Sequence, residues 1–270
     1  MNETLKRLIS GVIYVLLLIT SILYSTESFI TLFGLFMLIA VYEFCNLVKL
    51  NKAIALLLAL SVYLIFHQFS FSRTNMQLVL LATILTSFKC IHFLFSSKND
   101  KIDLSSKYIY LIGYIILPFT IMAKIPFGRD GYNPKIFIGI FILIWTNDTF
   151  AYIVGKSMGK RKLFERISPK KTVEGFLGGM IFAIIASFLI SKYYIEGSII
   201  NQYIWLGFAF IASIFGTIGD LVESKFKRIA GVKDSGIIMP GHGGVLDRLD
   251  SVIFVAPFIY LFYQILYYVS

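Results

Sequence analysis

Between Asp220 and Asp250 the chain carries five carboxylates, five Lys or Arg, one His and five glycines, set between two long apolar segments. Crossing a bilayer requires none of these groups, so the stretch reads as chemical apparatus. Asp220 closes one apolar segment, and Asp247 and Asp250 immediately precede the next. A hairpin-like return brings three carboxylates together, an arrangement suited to Mg²⁺, which takes oxygen ligands and bridges substrate phosphates. Lys225, Lys227, Arg228 and Lys233 lie between them and can neutralise phosphate charge. Gly243 and Gly244, with the glycines at 231, 236 and 241, let backbone N–H groups approach an anion closely. His242, between two of those glycines, is placed to orient or donate to a phosphate.

A second set of polar residues lies upstream. Trp145-Thr146-Asn147-Asp148 puts an amide and a carboxylate inside an apolar segment, about two turns from its end. A polar contact between helices would account for that pair equally. Ser168-Pro169-Lys170-Lys171-Thr172 reads as an N-cap and first helical turn, with two lysines at the positive end of the helix dipole. A phosphate bound there would use the lysines and the free N–H groups; flanking positive charge is the plainer alternative. Gly175 and Gly179 fit close helix packing. Gly155-Lys156-Ser157 imitates the end of a P-loop, but Phe150 stands where its first glycine is required. A zinc site is excluded because His67 and His92 sit far back in apolar segments.

The elements that position these residues must be membrane helices. Of the 270 residues 57% are hydrophobic and 15% charged, and the mean hydropathy is +0.80, which leaves too little polar surface for a soluble globule. A hydrocarbon core needs about 20 apolar residues per helix. Nine candidate spans satisfy that reading, near 8–24, 29–48, 53–69, 76–95, 108–125, 136–154, 176–194, 203–221 and 252–268. The fold class expected is therefore an all-α polytopic membrane protein, one membrane domain whose unusual chemistry lies after residue 125. With a cytoplasmic N-terminus, nineteen of the 25 Lys and Arg fall on inner segments, five on outer ones, and Lys89 lies within a span. The positive-inside rule then puts the N-terminus in the cytoplasm and the C-terminus outside. Glu43, Lys89, Asp148 and Asp220 share the cytoplasmic third of their helices. The net charge of +10 follows from the same loop bias, so nucleic acid is not an expected partner. Lys6 and Arg7 precede the first apolar segment as in a signal peptide, but no small-x-small cleavage site follows, so it reads as a retained helix. Cys45 and Cys90 are buried free thiols by the same reading.

Ser224-x-Phe226-Lys227-Arg228, Lys233-Asp234-Ser235-Gly236 and Pro240-Gly241-His242-Gly243-Gly244-x-x-Asp247-Arg248-x-Asp250 together resemble the signature of bacterial phosphatidate cytidylyltransferases, the CDP-diacylglycerol synthases. Trp145-x-Asn147-Asp148, Ser168 to Thr172 and Glu174-Gly175 extend the resemblance over residues 145–251. Met239 departs from it conservatively. The resemblance implies transfer of CMP from CTP to phosphatidate in the cytoplasmic leaflet of the bacterial inner membrane, giving CDP-diacylglycerol and pyrophosphate. It also implies divalent metal on Asp220 and Asp247, with Asp250 and Asp148 as further ligands or as groups that orient them. Lys170, Lys171, Lys227, Arg228, Lys233 and Arg248 become phosphate contacts and His242 an orienting group. Lys225, Asp234, Asn147, Gly243 and Gly244 join the substrate-binding set. Mg²⁺ is the expected cofactor, a second metal or monovalent ion is left open, and a homodimer is implied by the family alone. Two other readings stay open at this stage: a CTP-dependent lipid kinase moving the γ-phosphate to an alcohol, and a divalent-cation transporter. The outer halves of the spans hold almost no ionisable residues, which argues against a transport path.

Overall fold

Long apolar runs separated by short polar connections leave the backbone one way to satisfy its hydrogen bonds in lipid, the α-helix. A computed structural model of the chain describes residues 3–68, 73–96, 102–128, 131–195, 199–241 and 243–269. His242, Lys98, Lys101, Arg129 and Asp130 lie outside the described residues. Among those described, the long helical segments are α1 Glu3–Tyr24, α2 Thr26–Val48, α3 Lys52–Gln68, α4 Arg73–Phe95, α5 Leu104–Met122, α6 Pro134–Met158, α7 Val173–Tyr194, α8 Ile199–Ile229 and α9 Leu246–Val269. Eight of them are long and apolar enough to cross a membrane; α3, with 17 residues, is the shorter one. The chain is a multi-pass, all-α membrane protein. Two hairpins interrupt the helices: β1 Phe127–Gly128 with β2 Gly131–Tyr132, and β3 Lys162–Phe164 with β4 Ser168–Thr172.

The second hairpin corrects the expected helix start. Ser168 to Thr172 is extended and pairs antiparallel with β3. Thr172 is the N-cap of α7, its hydroxyl accepting from the Gly175 N–H at 3.1 Å. Thr172 outcompetes Ser168 because its position lets β3 and β4 pair before the helix begins. Lys170 and Lys171 therefore project from a strand rather than from a first helical turn.

Packing in the C-terminal half is close, α6 on α7 and α8 on α9. A Cβ added to Gly179 would stand 2.6 Å from the Asn147 carbonyl oxygen, and one on Gly175 2.6 Å from that of Ala151. Both glycines serve helix contact, as the sequence implies. At Gly219 an added Cβ would meet Phe254 Cβ at 2.6 Å, so α8 and α9 touch where Asp220 and Asp250 must face each other.

Between the two halves the core is aromatic. Phe226 of α8 is surrounded by Phe44 of α2 at 5.2 Å, Phe93 of α4 at 4.8 Å, and Tyr110 and Tyr114 of α5 at 5.3 and 5.9 Å between ring centroids. Such offset and edge-on pairs are worth about 0.5–1.5 kcal/mol each. They fix the roll of α8, and with it the direction of every charged group on that helix.

Candidate active site

Helix α8 runs two turns past Asp220, to Ile229, and α9 begins at Leu246, ahead of both aspartates expected to precede it. Asp220, Glu223 and Lys227 consequently repeat at three- and four-residue spacing along one helical face. The Glu223 carboxylate joins Asp220 and Asp250 in a group whose ligand oxygens lie within 4.8 Å of one another. Glu223 is a site residue that the sequence reading missed; its position three residues after Asp220 was the available signal.

Asp247, implied as a metal ligand, lines the same cavity but is not one of the three carboxylates whose oxygens cluster within 4.8 Å. One of its oxygens accepts from the Ser235 N–H and hydroxyl, both at 2.9 Å, and from the Gly244 N–H at 2.7 Å. The other receives the Lys227 ammonium at 2.6 Å. Lys227 also stands 2.5 Å from Glu223, so one cation joins the loop-holding aspartate to the triad. The Gly244 N–H, expected to meet an anionic ligand, is directed to Asp247. The next two N–H groups of the α9 amino terminus, Val245 and Leu246, donate to the buried Glu43 carboxylate at 3.1 and 2.8 Å, and the Ser235 hydroxyl reaches it at 3.2 Å. Glu43 belongs to α2, so a carboxylate from the N-terminal half seats the helix that carries Asp247 and Asp250.

Asp220, Lys227, Asp247 and Asp250 line a cavity of about 760 Å³. Its acidic lining is Asp148, Asp220, Asp234, Asp247 and Asp250, and its basic lining Lys156, Lys162, Lys170, Lys171, Lys227 and Arg248. Lys171 makes an ion pair with Asp220. Burial pulls the Lys171 ammonium down, but the attraction and hydrogen bond of Asp220, with the charges of Asp148 and Asp250, outweigh it and hold the group above the ordinary lysine range. Lys156 and Lys162 were outside the set expected from sequence.

Other expected residues lie elsewhere. The Lys225 ammonium is directed to α4, bonding the Phe93 carbonyl and, at 3.0 Å, that of Ser96. Arg228 reaches the carbonyls of Ile167 at 3.4 Å and Val232 at 3.2 Å. Neither lines the cavity, since residues five and eight positions after Asp220 fall on other faces of α8. Lys233 is exposed and also off the cavity wall. Asn147 is buried at the α6–α7 contact and donates to Asp148 at 3.2 Å, positioning that carboxylate.

The donor set fits a divalent cation. Five carboxylates line the cavity, and Lys171 and Lys227 make ion pairs with Asp220 and Asp247. Carboxylates clustered out of bulk water repel one another unless a cation joins them. Asp220, Glu223 and Asp250 offer oxygen ligands at the right mutual spacing.

The fold and site define a class: a polytopic membrane protein whose cavity brings a cation-suited carboxylate cluster together with several lysines. Residues 5–266 match the family described as "Cytidylyltransferase family". The chain belongs to that family. A relative named phosphatidate cytidylyltransferase from Staphylococcus haemolyticus is 35% identical over 254 residues, 93% of this chain and 95% of its own. One of the same name from Bacillus subtilis is 34% identical over 270 residues, 96% of this chain and 97% of its own. A third, from Staphylococcus aureus strain COL, is 54% identical over 117 residues, and there the chain spans only 44% of the relative's length.

Proposed function

We propose that the chain is a phosphatidate cytidylyltransferase of the bacterial inner membrane, moving CMP from CTP to phosphatidate with its cavity open to the cytoplasm. One observation carries the reading beyond family membership. Asp220 and Asp250 of the carboxylate triad share one cavity with Lys162, Lys170 and Lys171, at the polar ends of apolar helices.

Both reactants are polyanions, so the task is to hold them together and stabilise the charge that moves. A phosphatidate phosphate oxygen forms a bond to the α-phosphorus of CTP. The bond from that phosphorus to the α–β bridging oxygen breaks, and pyrophosphate leaves with the electron pair. Lys162, Lys170 and Lys171 face the cavity where the departing phosphates would lie and offset their charge. Lys227 bridges and orients Glu223 and Asp247, while Asn147 fixes the direction of Asp148. Asp220, Glu223 and Asp250 would hold the metal, Mg²⁺ in this reading, which when bound neutralises phosphate oxygens and makes the α-phosphorus more electrophilic. No side chain is required as a covalent nucleophile. Assembly as a homodimer rests on the family resemblance.

The test uses detergent-purified protein, phosphatidate, Mg²⁺ and CTP labelled separately at the α- and γ-phosphates. Label from the α position should enter lipid only when phosphatidate is present. Label from the γ position entering lipid, with diacylglycerol as acceptor, would make the protein a kinase instead.

A further inference from the structure

A second cavity, of about 340 Å³, lies against the far side of the same acidic wall. Asp148, Asp247, Arg248, Asp250 and Ser251 belong to both cavities. Past that shared wall the two differ. The larger is lined by lysines, whereas the smaller is closed by Gly11, Tyr14 and Val15 of α1 and by Ile144 and Trp145 of α6. The outer face of α1 is apolar and exposed, with Val12, Ile13 and Leu16 about half accessible, so one helix separates this cavity from lipid. That helix is tied to the signature loop near its start, the Ser10 hydroxyl donating to the Pro240 carbonyl at 2.9 Å. Its contact with α6 is slight compared with its contact with α2.

Tyr14 gives the cavity a polar element that the protein does not itself use. Its ring leans on Phe36 of α2 at 6.0 Å between centroids, and its hydroxyl is sealed from solvent without a hydrogen-bond partner among the described residues. Buried hydroxyls are almost always partnered, so one on a cavity wall points to a ligand that supplies the partner.

We propose that this smaller cavity is the phosphatidate headgroup subsite, with the Tyr14 hydroxyl donating to the lipid's phosphate or glycerol-ester oxygens and Arg248 serving the phosphate from the shared wall. The assignment rests on the cytidylyltransferase reading and goes beyond it by separating the two substrates. Displacement at phosphorus proceeds in line, with the attacking and leaving oxygens on opposite sides. Two cavities meeting at one wall provide that geometry: lipid phosphate arrives from the α1 side, CTP lies on the lysine side, and pyrophosphate departs away from the membrane. Tyr14 is a substrate-positioning residue, which explains why the first helix, far from the signature in sequence, is packed against it.

The experiment varies phosphatidate mole fraction in detergent micelles and CTP concentration independently. Losing one neutral hydrogen bond to substrate is expected to raise the KM for phosphatidate by about 3- to 10-fold in Tyr14→Phe, with the KM for CTP within about twofold of wild type. Gly11→Leu, which narrows the cavity, should raise the phosphatidate KM further, while direct titration with CTP and Mg²⁺ shows the nucleotide site intact and the protein folded. Lys162→Ala should show the converse, a raised KM for CTP alone. Should Tyr14→Phe and Gly11→Leu leave the phosphatidate KM unchanged, or raise the CTP KM equally, the subsite assignment falls. Absence of α-label in lipid with wild-type protein would instead overturn the activity itself.

Discussion

The acidic wall is the point at which single residues decide most. Glu223 and Asp250 contribute two of the three clustered carboxylates, so Glu223→Gln and Asp250→Asn should each raise the Mg²⁺ concentration for half-maximal velocity by about tenfold or more. A metal titration of the steady-state rate reads this directly, and unchanged half-saturation in both variants would remove them from the cation site. Asp247→Asn has a different signature, because Asp247 holds Ser235, Gly244 and Lys227 rather than joining the triad. Thermal stability should fall in that variant along with activity, and excess Mg²⁺ should not restore it. Lys171 yields a pH prediction. Its folded pKa is raised, so the folded state holds that proton more tightly than the unfolded chain does. The stabilisation is complete below the unfolded lysine value of about 10.4 and is lost as pH rises through the higher folded value. Melting curves from pH 9 upward should therefore show wild type converging on Lys171→Met, and a gap that widens with pH would contradict the assignment.

Helix α8 explains why the site was only partly legible from sequence. One face carries Asp220, Glu223 and Lys227 to the carboxylate cluster, and another carries Lys225 and Phe226 to α4 and its neighbours. A motif read as a string gives all five residues equal standing; only helical phase, fixed by the aromatic contacts of Phe226, sorts them. The spans themselves were legible because bilayer thickness and backbone hydrogen bonding dictate long apolar helices. The β3–β4 hairpin was not, since Ser-Pro and Thr-x-Glu are both acceptable helix starts and strand pairing chose the second. Glu43 was visible only as a charge at the right depth. Its partners are backbone N–H groups some two hundred residues away, which leave no mark in side-chain pattern. Glu43→Ala strands the Val245 and Leu246 N–H groups, while the Ser235 hydroxyl keeps Asp247, a loss of about 1–3 kcal/mol for each donor left unsatisfied. A clearly lowered melting temperature is expected, together with weakened metal dependence of activity, and Glu43→Gln should recover part of both because its amide oxygen can still accept. Equal behaviour of the two variants would show that Glu43 acts through volume rather than hydrogen bonding.

Across the whole molecule, the loop charges and the cavity make one joint claim about sidedness. The lysines at 156, 162, 170 and 171 that line the cavity also supply much of the positive charge that favours a cytoplasmic location. CTP and the site must share a compartment, so an inverted protein would be inactive in cells whatever its chemistry. Helix α6 offers the cleanest test, because its 25 residues span roughly 37 Å and place Lys135 and Ser157 near opposite ends. Both positions are exposed, while Cys45 and Cys90 are 1% and 0% accessible, so the native thiols contribute little background. In intact cells, after passage of the reagent across any outer envelope, Lys135→Cys should react with a membrane-impermeant maleimide and Ser157→Cys should not. Permeabilising the inner membrane should make Ser157→Cys reactive, and bound CTP with Mg²⁺ should slow that reaction because Gly155 and Lys156 line the cavity beside it. Reaction of Ser157→Cys in intact cells would invert the topology, separate the site from its nucleotide, and require another substrate for the same lysine-lined cavity.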